Sequence, residues 1–173
     1  MKQEKRNFWL DISLFIALLS ATFTGLYISY QAAAALPELG RNFWLTIHVF
    51  SGLIFLAGSI THVIWHRAWL RALRKRSIAS LPQRLRANRV TDRFVWITFL
   101  ATVVFGGLSW MIPAQATGAS LSSHLHGMFG MTMLLGNIVH LAFHSKWITS
   151  TAGRQLQADR ANMATVQPGG VKD

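Results

Sequence analysis

Residues 48 to 66 read HVFSGLIFLAGSITHVIWH, an apolar stretch that opens and closes on histidine, holds a third at His62 and carries no other ionisable side chain. It lies inside a longer run, Asn42 to His66, without Asp, Glu, Lys or Arg. Two further runs, Ile12 to Pro37 and Phe94 to Ser145, are equally free of charge. Each is at least about 20 residues long, the length that crosses the hydrocarbon core of a bilayer.

The third run is long enough for two crossings, and IPAQATGASLSS (112–123) supplies the polar residues, Gly and Pro of a turn. The expected fold is an all-α membrane protein, a bundle of four transmembrane helices near 8–30, 42–68, 93–112 and 121–147. The first helix, preceded by Lys2, Lys5 and Arg6 and followed by QAAAAL, has the outline of a cleaved signal peptide. Its apolar run exceeds the roughly 7 to 15 residues of a signal core, so a retained helix is expected.

The 173 residues carry a formal charge of +11, and its placement decides what it means. Basic residues precede the first helix, nine lie from Arg67 to Arg93, and Lys146, Arg154, Arg160 and Lys172 follow the fourth; Arg41 alone lies in a loop on the other side. This is the positive-inside pattern, which predicts cytoplasmic termini and a cytoplasmic middle loop. The charge is accounted for by topology and contact with anionic lipid, with no nucleic-acid partner. Within the loop, expected over 69–92, RAWLRALRKRSIASLPQRLRANR interleaves Leu and Trp with Arg, as an amphipathic segment on the membrane surface does. Residues 149–173 lack apolar periodicity and read as a polar cytoplasmic tail, mobile or held by a partner. Domain organisation is thus one transmembrane unit, 1–148, and that tail.

Cysteine is absent, which excludes thiolate metal sites, iron–sulfur clusters and covalently attached haem. Any metal or cofactor falls to histidine.

The opening stretch has a copy. HVFSGLIFLAGSITHVIWHRAW aligns without gaps to HGMFGMTMLLGNIVHLAFHSKW at an offset of 78, pairing His48 with His126, Gly52 with Gly130, Gly58 with Gly136, His62 with His140 and His66 with His144. The first and third helices echo one another at an offset of 81, pairing Asp11 with Asp92 and Gly25 with Gly106. The chain reads as a duplicated helical hairpin, with helices 2 and 4 parallel and their histidines at matching depths, facing each other across the bundle.

On a helix rising 1.5 Å and turning 100° per residue, His62 lies about 21 Å from His48 and within about 40° of the same face. Gly52 and Gly58, and their copies Gly130 and Gly136, stand one turn inward of a histidine, where a missing side chain lets a flat macrocycle approach the backbone. Their other use is to bring helices together. Intramembrane histidines mark function because burying them is costly, and binding iron through the neutral imidazole removes that cost. Haem held by His from facing helices, with no open position, suits electron transfer.

The two His pairs separated by 14 residues on parallel helices resemble the dihaem four-helix core of cytochrome b from quinol-oxidising complexes. HVIWHRAW and HLAFHSKW are also similar to the helix endings of a bacterial family of small four-helix membrane proteins, here with Trp three residues after the histidine. The resemblance spans about residues 8 to 148; the further helices and quinone motifs of the respiratory cytochrome are missing. It implies two haem b groups, one on His48 and His126 near the periplasmic side and one on His62 and His140 near the cytoplasmic side, in a multi-pass protein of the bacterial inner membrane. Electrons would pass between a quinone pool or cytoplasmic donor and a periplasmic partner, with haem or flavin subunits as neighbours. His66 and His144, 18 residues from His48 and His126, return to the same phase, so geometry leaves them open as ligands of the inner haem. Beside Arg67 and Lys146 they also suit propionate or quinone contacts, as Arg41 does outside.

Two other readings remain. His62, His66, His140 and His144 could form the di-metal centre of a membrane metalloenzyme, which leaves His48 and His126 unexplained. Pigment ligation, or proton relay in a transporter, gives no reason for facing pairs.

Overall fold

The computed structural model describes residues 2–33, 40–75, 81–111 and 121–166. They form four long helices: α1 (Lys2–Ala33), α2 (Arg41–Arg74), α3 (Gln83–Met111) and α4 (Leu121–Val166). Each contains a segment apolar and long enough to cross a membrane. The expected all-α architecture of four membrane-spanning helices is present.

The helices are longer than their apolar runs. α2 continues through the basic stretch to Arg74, and α3 begins at Gln83, ten residues before the expected start. Most of the middle loop is therefore helix continuing the spans, in place of a separate surface segment; residues 76–80 lie outside the described part. Pro82 stands just before α3, where its missing N–H costs nothing, and its carbonyl accepts the Arg86 N–H at 3.0 Å. Gly40 stands just before α2, with a φ of 86° that glycine adopts without strain, and its carbonyl accepts from the Trp44 N–H.

The largest departure is α4. Its 46 residues extend about 69 Å, well over the roughly 30 Å of a hydrocarbon core. The polar tail expected from 149 is helical as far as Val166, and the QPGG stretch lies outside the described residues. Thr151 on this extension is fully buried, and Arg154 both pairs with Glu4 of α1 and donates to Thr151. The extension is anchored to the start of α1.

Close packing joins α1 to α2, α3 to α4, and α1 to α4. The two hairpins repeat each other in detail. Leu18 and Phe99, equivalent at the offset of 81, lie together in the core with Met133. Phe55, the equivalent of Met133, packs on this cluster and meets the Phe99 ring edge-on at 5.6 Å. Leu56 and Leu134, also equivalent, complete the layer with Trp96. Elsewhere the large apolar side chains point outward, Phe23, Ile97 and Leu135 among them, each more than 60% exposed. An apolar exterior of this extent fits lipid. Several hydroxyls within the spans bond to carbonyls of their own helix, as Ser51 does to Ile47, Thr98 to Phe94 and Thr102 to Thr98, which lowers the cost of placing them in a bilayer.

Candidate functional site

Four of the histidines are held in the same way. On α2, His48 donates its Nδ1–H to the carbonyl of Ala21 on α1 at 2.9 Å, with Thr24 Oγ1 3.3 Å from the same nitrogen. On α4, His126 donates its Nδ1–H to the carbonyl of Thr102 on α3 at 2.8 Å. Ala21 and Thr102 are equivalent at the offset of 81. Fourteen residues further on, His62 donates to Asp11 Oδ1 at 2.8 Å and His140 to Asp92 Oδ1 at 2.9 Å. The acceptors change from carbonyl to carboxylate together, and each pair of acceptors is again equivalent.

A hydrogen bond from Nδ1 fixes the tautomer. With the proton on Nδ1, Nε2 keeps its lone pair, the form in which an imidazole binds a metal. All four rings are half-buried, and all four are oriented by the companion helix of their own hairpin.

His48 and His126 face each other across the hairpins, with ring centroids 5.8 Å apart and planes at 86°. Two imidazoles sharing one metal through bonds of about 2 Å place their centroids roughly 6 Å apart. This pair is the first rung. His62 and His140 form the second, where His144 lies within electrostatic range of Asp11 and His62 on the other hairpin as well as of its own neighbours Asp92 and His140. The first rung links α2 to α4, and fourteen to eighteen residues on His144 of α4 comes near His62 of α2, so the two helices run parallel.

His66 and His144 stand against the second rung. Their rings lie 4.6 Å from those of His62 and His140, tilted by 44° and 42°. Asp92, His140 and His144 bring one ligand atom each within 4.8 Å of one another, a grouping compatible with a metal ion. His124 is exposed.

The glycines divide by role. A Cβ on Gly25 would come within 2.9 Å of His48 Cε1, and one on Gly106 within 2.8 Å of His126 Nδ1. These two make room for the imidazoles of the first rung. Gly58 and Gly136, expected to clear a macrocycle face, instead seat the companion helices: a Cβ there would meet Leu14 Cδ2 at 2.7 Å, or Val95 and Phe94 at 3.0 and 3.1 Å. Leu14 and Val95 are themselves equivalent positions. The physical reason is that the one-turn step from His62 to Gly58 carries the glycine under α1, the helix that supplies Asp11. Gly52 has nothing within 4 Å of its Cβ position and Gly130 only Thr102 at 3.8 Å, so open space remains beside the first rung.

Arg41, in the first turn of α2, and Arg67, beside His66, are both exposed. Two arginines not singled out from the sequence lie near the second rung. Arg84 donates to the Phe143 carbonyl at 3.1 Å, next to His144, and the Arg6 guanidinium lies 4.5 Å over the Trp65 ring, next to His66. Asp11 and Asp92 were paired in the repeat without a role; only the folded hairpins bring them to the histidines. The chain matches no protein-family model, no curated protein and no solved structure.

Proposed function

We propose that the chain is a dihaem b-type cytochrome, passing electrons across the membrane between a quinone pool or a cytoplasmic-side donor and a periplasmic redox partner, as a subunit of a larger redox complex. The observation that carries this reading is the common fixing of His48, His126, His62 and His140 through Nδ1 at repeat-equivalent acceptors, which leaves four Nε2 lone pairs on facing helices. Bound haem iron would supply one-electron chemistry without an open coordination position. The chain's own residues orient the ligands and surround them with apolar side chains.

Several features support the same reading. The 5.8 Å spacing of the first rung suits a shared metal. The space beside Gly52 and Gly130 admits a flat group close to the backbone. The apolar layer of Leu18, Phe55, Phe99 and Met133 lies between the rungs, about 10 Å from each along α2. Arg6, Arg67 and Arg84 offer positive charge for propionates near the second rung, and Arg41 near the first. Anchoring through Asp favours His62 and His140 as ligands over His66 and His144, whose rings stack on them. The basic residues at the helix ends beside the second rung support a cytoplasmic position for it.

The grouping of Asp92, His140 and His144 favours one alternative, a membrane metalloenzyme with its metals at His62, His66, His140 and His144. Haem and metal analysis of the purified protein separates the two. The dihaem reading expects about two haems per chain, lost one at a time in His48→Ala and His62→Ala; metal without haem, abolished by His66→Ala or His144→Ala, supports the alternative.

A further inference from the structure

The two rungs differ in the acceptor behind each ring. Ala21 and Thr102 present neutral backbone carbonyls to the first rung, whereas Asp11 and Asp92 present carboxylates to the second. From this difference, and resting on the dihaem reading, we propose that Asp11 and Asp92 hold the haem potential of the second rung below that of the first, so that electrons run downhill from the His62/His140 end of the bundle to the His48/His126 end.

The physical cause lies in the ligand. A carboxylate accepting the Nδ1–H draws that proton toward itself and leaves the imidazole more electron-rich at Nε2. A stronger donor favours the more positive iron and lowers its reduction potential, and hydrogen bonding to axial ligands is one of the protein's levers on potential. Two such carboxylates act on one centre here. Each adds a negative charge a few ångströms from the ligand nitrogen, which favours the oxidised centre in the same sense. The side chains are only 28% and 22% exposed, so solvent screens them incompletely. A backbone carbonyl orients its ring equally well and carries no net charge.

Positive charges oppose this effect, and their placement decides the balance. Arg6, Arg67 and Arg84 are exposed, where solvent and salt screen them, and none stands between a ligand nitrogen and its carboxylate. His66 and His144 contact the second rung as rings. The transfer itself is one electron: the second-rung centre is oxidised, the first-rung centre reduced, and no bond breaks. On the cytoplasmic assignment of the second rung, net flow is outward.

The test is an optical redox titration of the full-length, haem-loaded protein. His62→Ala and His48→Ala each leave one haem and so assign each component to a rung. The component missing from His62→Ala is expected to be the lower one, and Asp11→Asn/Asp92→Asn, which keeps a hydrogen-bond acceptor and removes the charges, is expected to raise that component and leave the other in place. Coincident potentials, a higher second-rung component, or a double variant with both components unmoved would overturn the inference. If the double variant does not load haem, the order established by the two histidine variants decides it. A wild-type protein without haem bands would instead sink the dihaem reading itself.

Discussion

The imidazoles of His48 and His126 stand 5.8 Å apart with their planes at 86°, although they belong to hairpins separated by 78 residues of sequence. Neither ring is positioned by the other. Each is tied to its own hairpin, His48 to Ala21 and His126 to Thr102, and the assembly of the hairpins brings them together. The site can therefore be taken apart one contact at a time.

Gly25→Ala and Gly106→Ala test the seating of the first rung. The added Cβ would lie 2.9 Å from His48 or 2.8 Å from His126, a clash of the kind that costs about 1–3 kcal/mol when nothing yields. Here the ring can swing out, so the expected outcome is loss of one haem while the second-rung haem stays. Haem stoichiometry in each variant checks it, and two retained haems would contradict it.

Gly58→Ala and Gly136→Ala test packing. Their Cβ atoms meet Leu14, or Val95 and Phe94, on the companion helices. Thermal denaturation in detergent should show a loss of about 1–3 kcal/mol, with haem content in the folded fraction unchanged. Gly52→Ala is the counterpart: with nothing within 4 Å to strike, it should leave the apoprotein as stable as wild type and weaken haem binding. Unaltered haem affinity in Gly52→Ala would place that open space against lipid.

These glycines also show how far the sequence could be read. Three uncharged runs, the last long enough for two crossings, were enough to predict four helices, and the histidine repeat to pair His48 with His126, because both signals are local and periodic. Gly58 and Gly52 look identical in that pattern, each one turn from a histidine. Their difference depends on which helix lies above them, which is a matter of tertiary packing. Asp11 was visible as an equivalent of Asp92, yet its bond to His62 spans 51 residues. The helical course of 149–166 escaped because its polar sequence has no apolar stripe; its order comes from contacts such as buried Thr151 and the Glu4–Arg154 pair.

That ion pair should matter little to global stability. Both partners are more than a third exposed, and surface pairs contribute about 0.2–1 kcal/mol. A double-mutant cycle of Glu4→Gln and Arg154→Ala should give a coupling in that range, reduced by salt. A coupling of several kcal/mol would mean that the α4 extension is buried in a larger assembly.

Sidedness is open to a clean experiment because the chain has no cysteine. Single cysteines at Arg154 and Asn42 should react with a membrane-impermeant thiol reagent from opposite sides, Arg154→Cys from the cytoplasm and Asn42→Cys from outside. The reverse pattern would invert the topology and with it the direction of electron flow.

The ligand set is tested by alanine at neighbouring turns. His62→Ala and His140→Ala should each remove the second-rung haem. His66→Ala and His144→Ala should keep both haems and alter only the surroundings of one, seen as a shifted band. Loss of a haem only in the latter pair would move the ligands one turn along α2 and α4.

The optical spectrum of the purified protein, oxidised and then reduced, tests the central claim most directly. Bis-histidine ligation at two rungs predicts intense haem bands that sharpen on reduction, with about two haems per chain. A colourless protein, or one holding metal ions without haem, would contradict it.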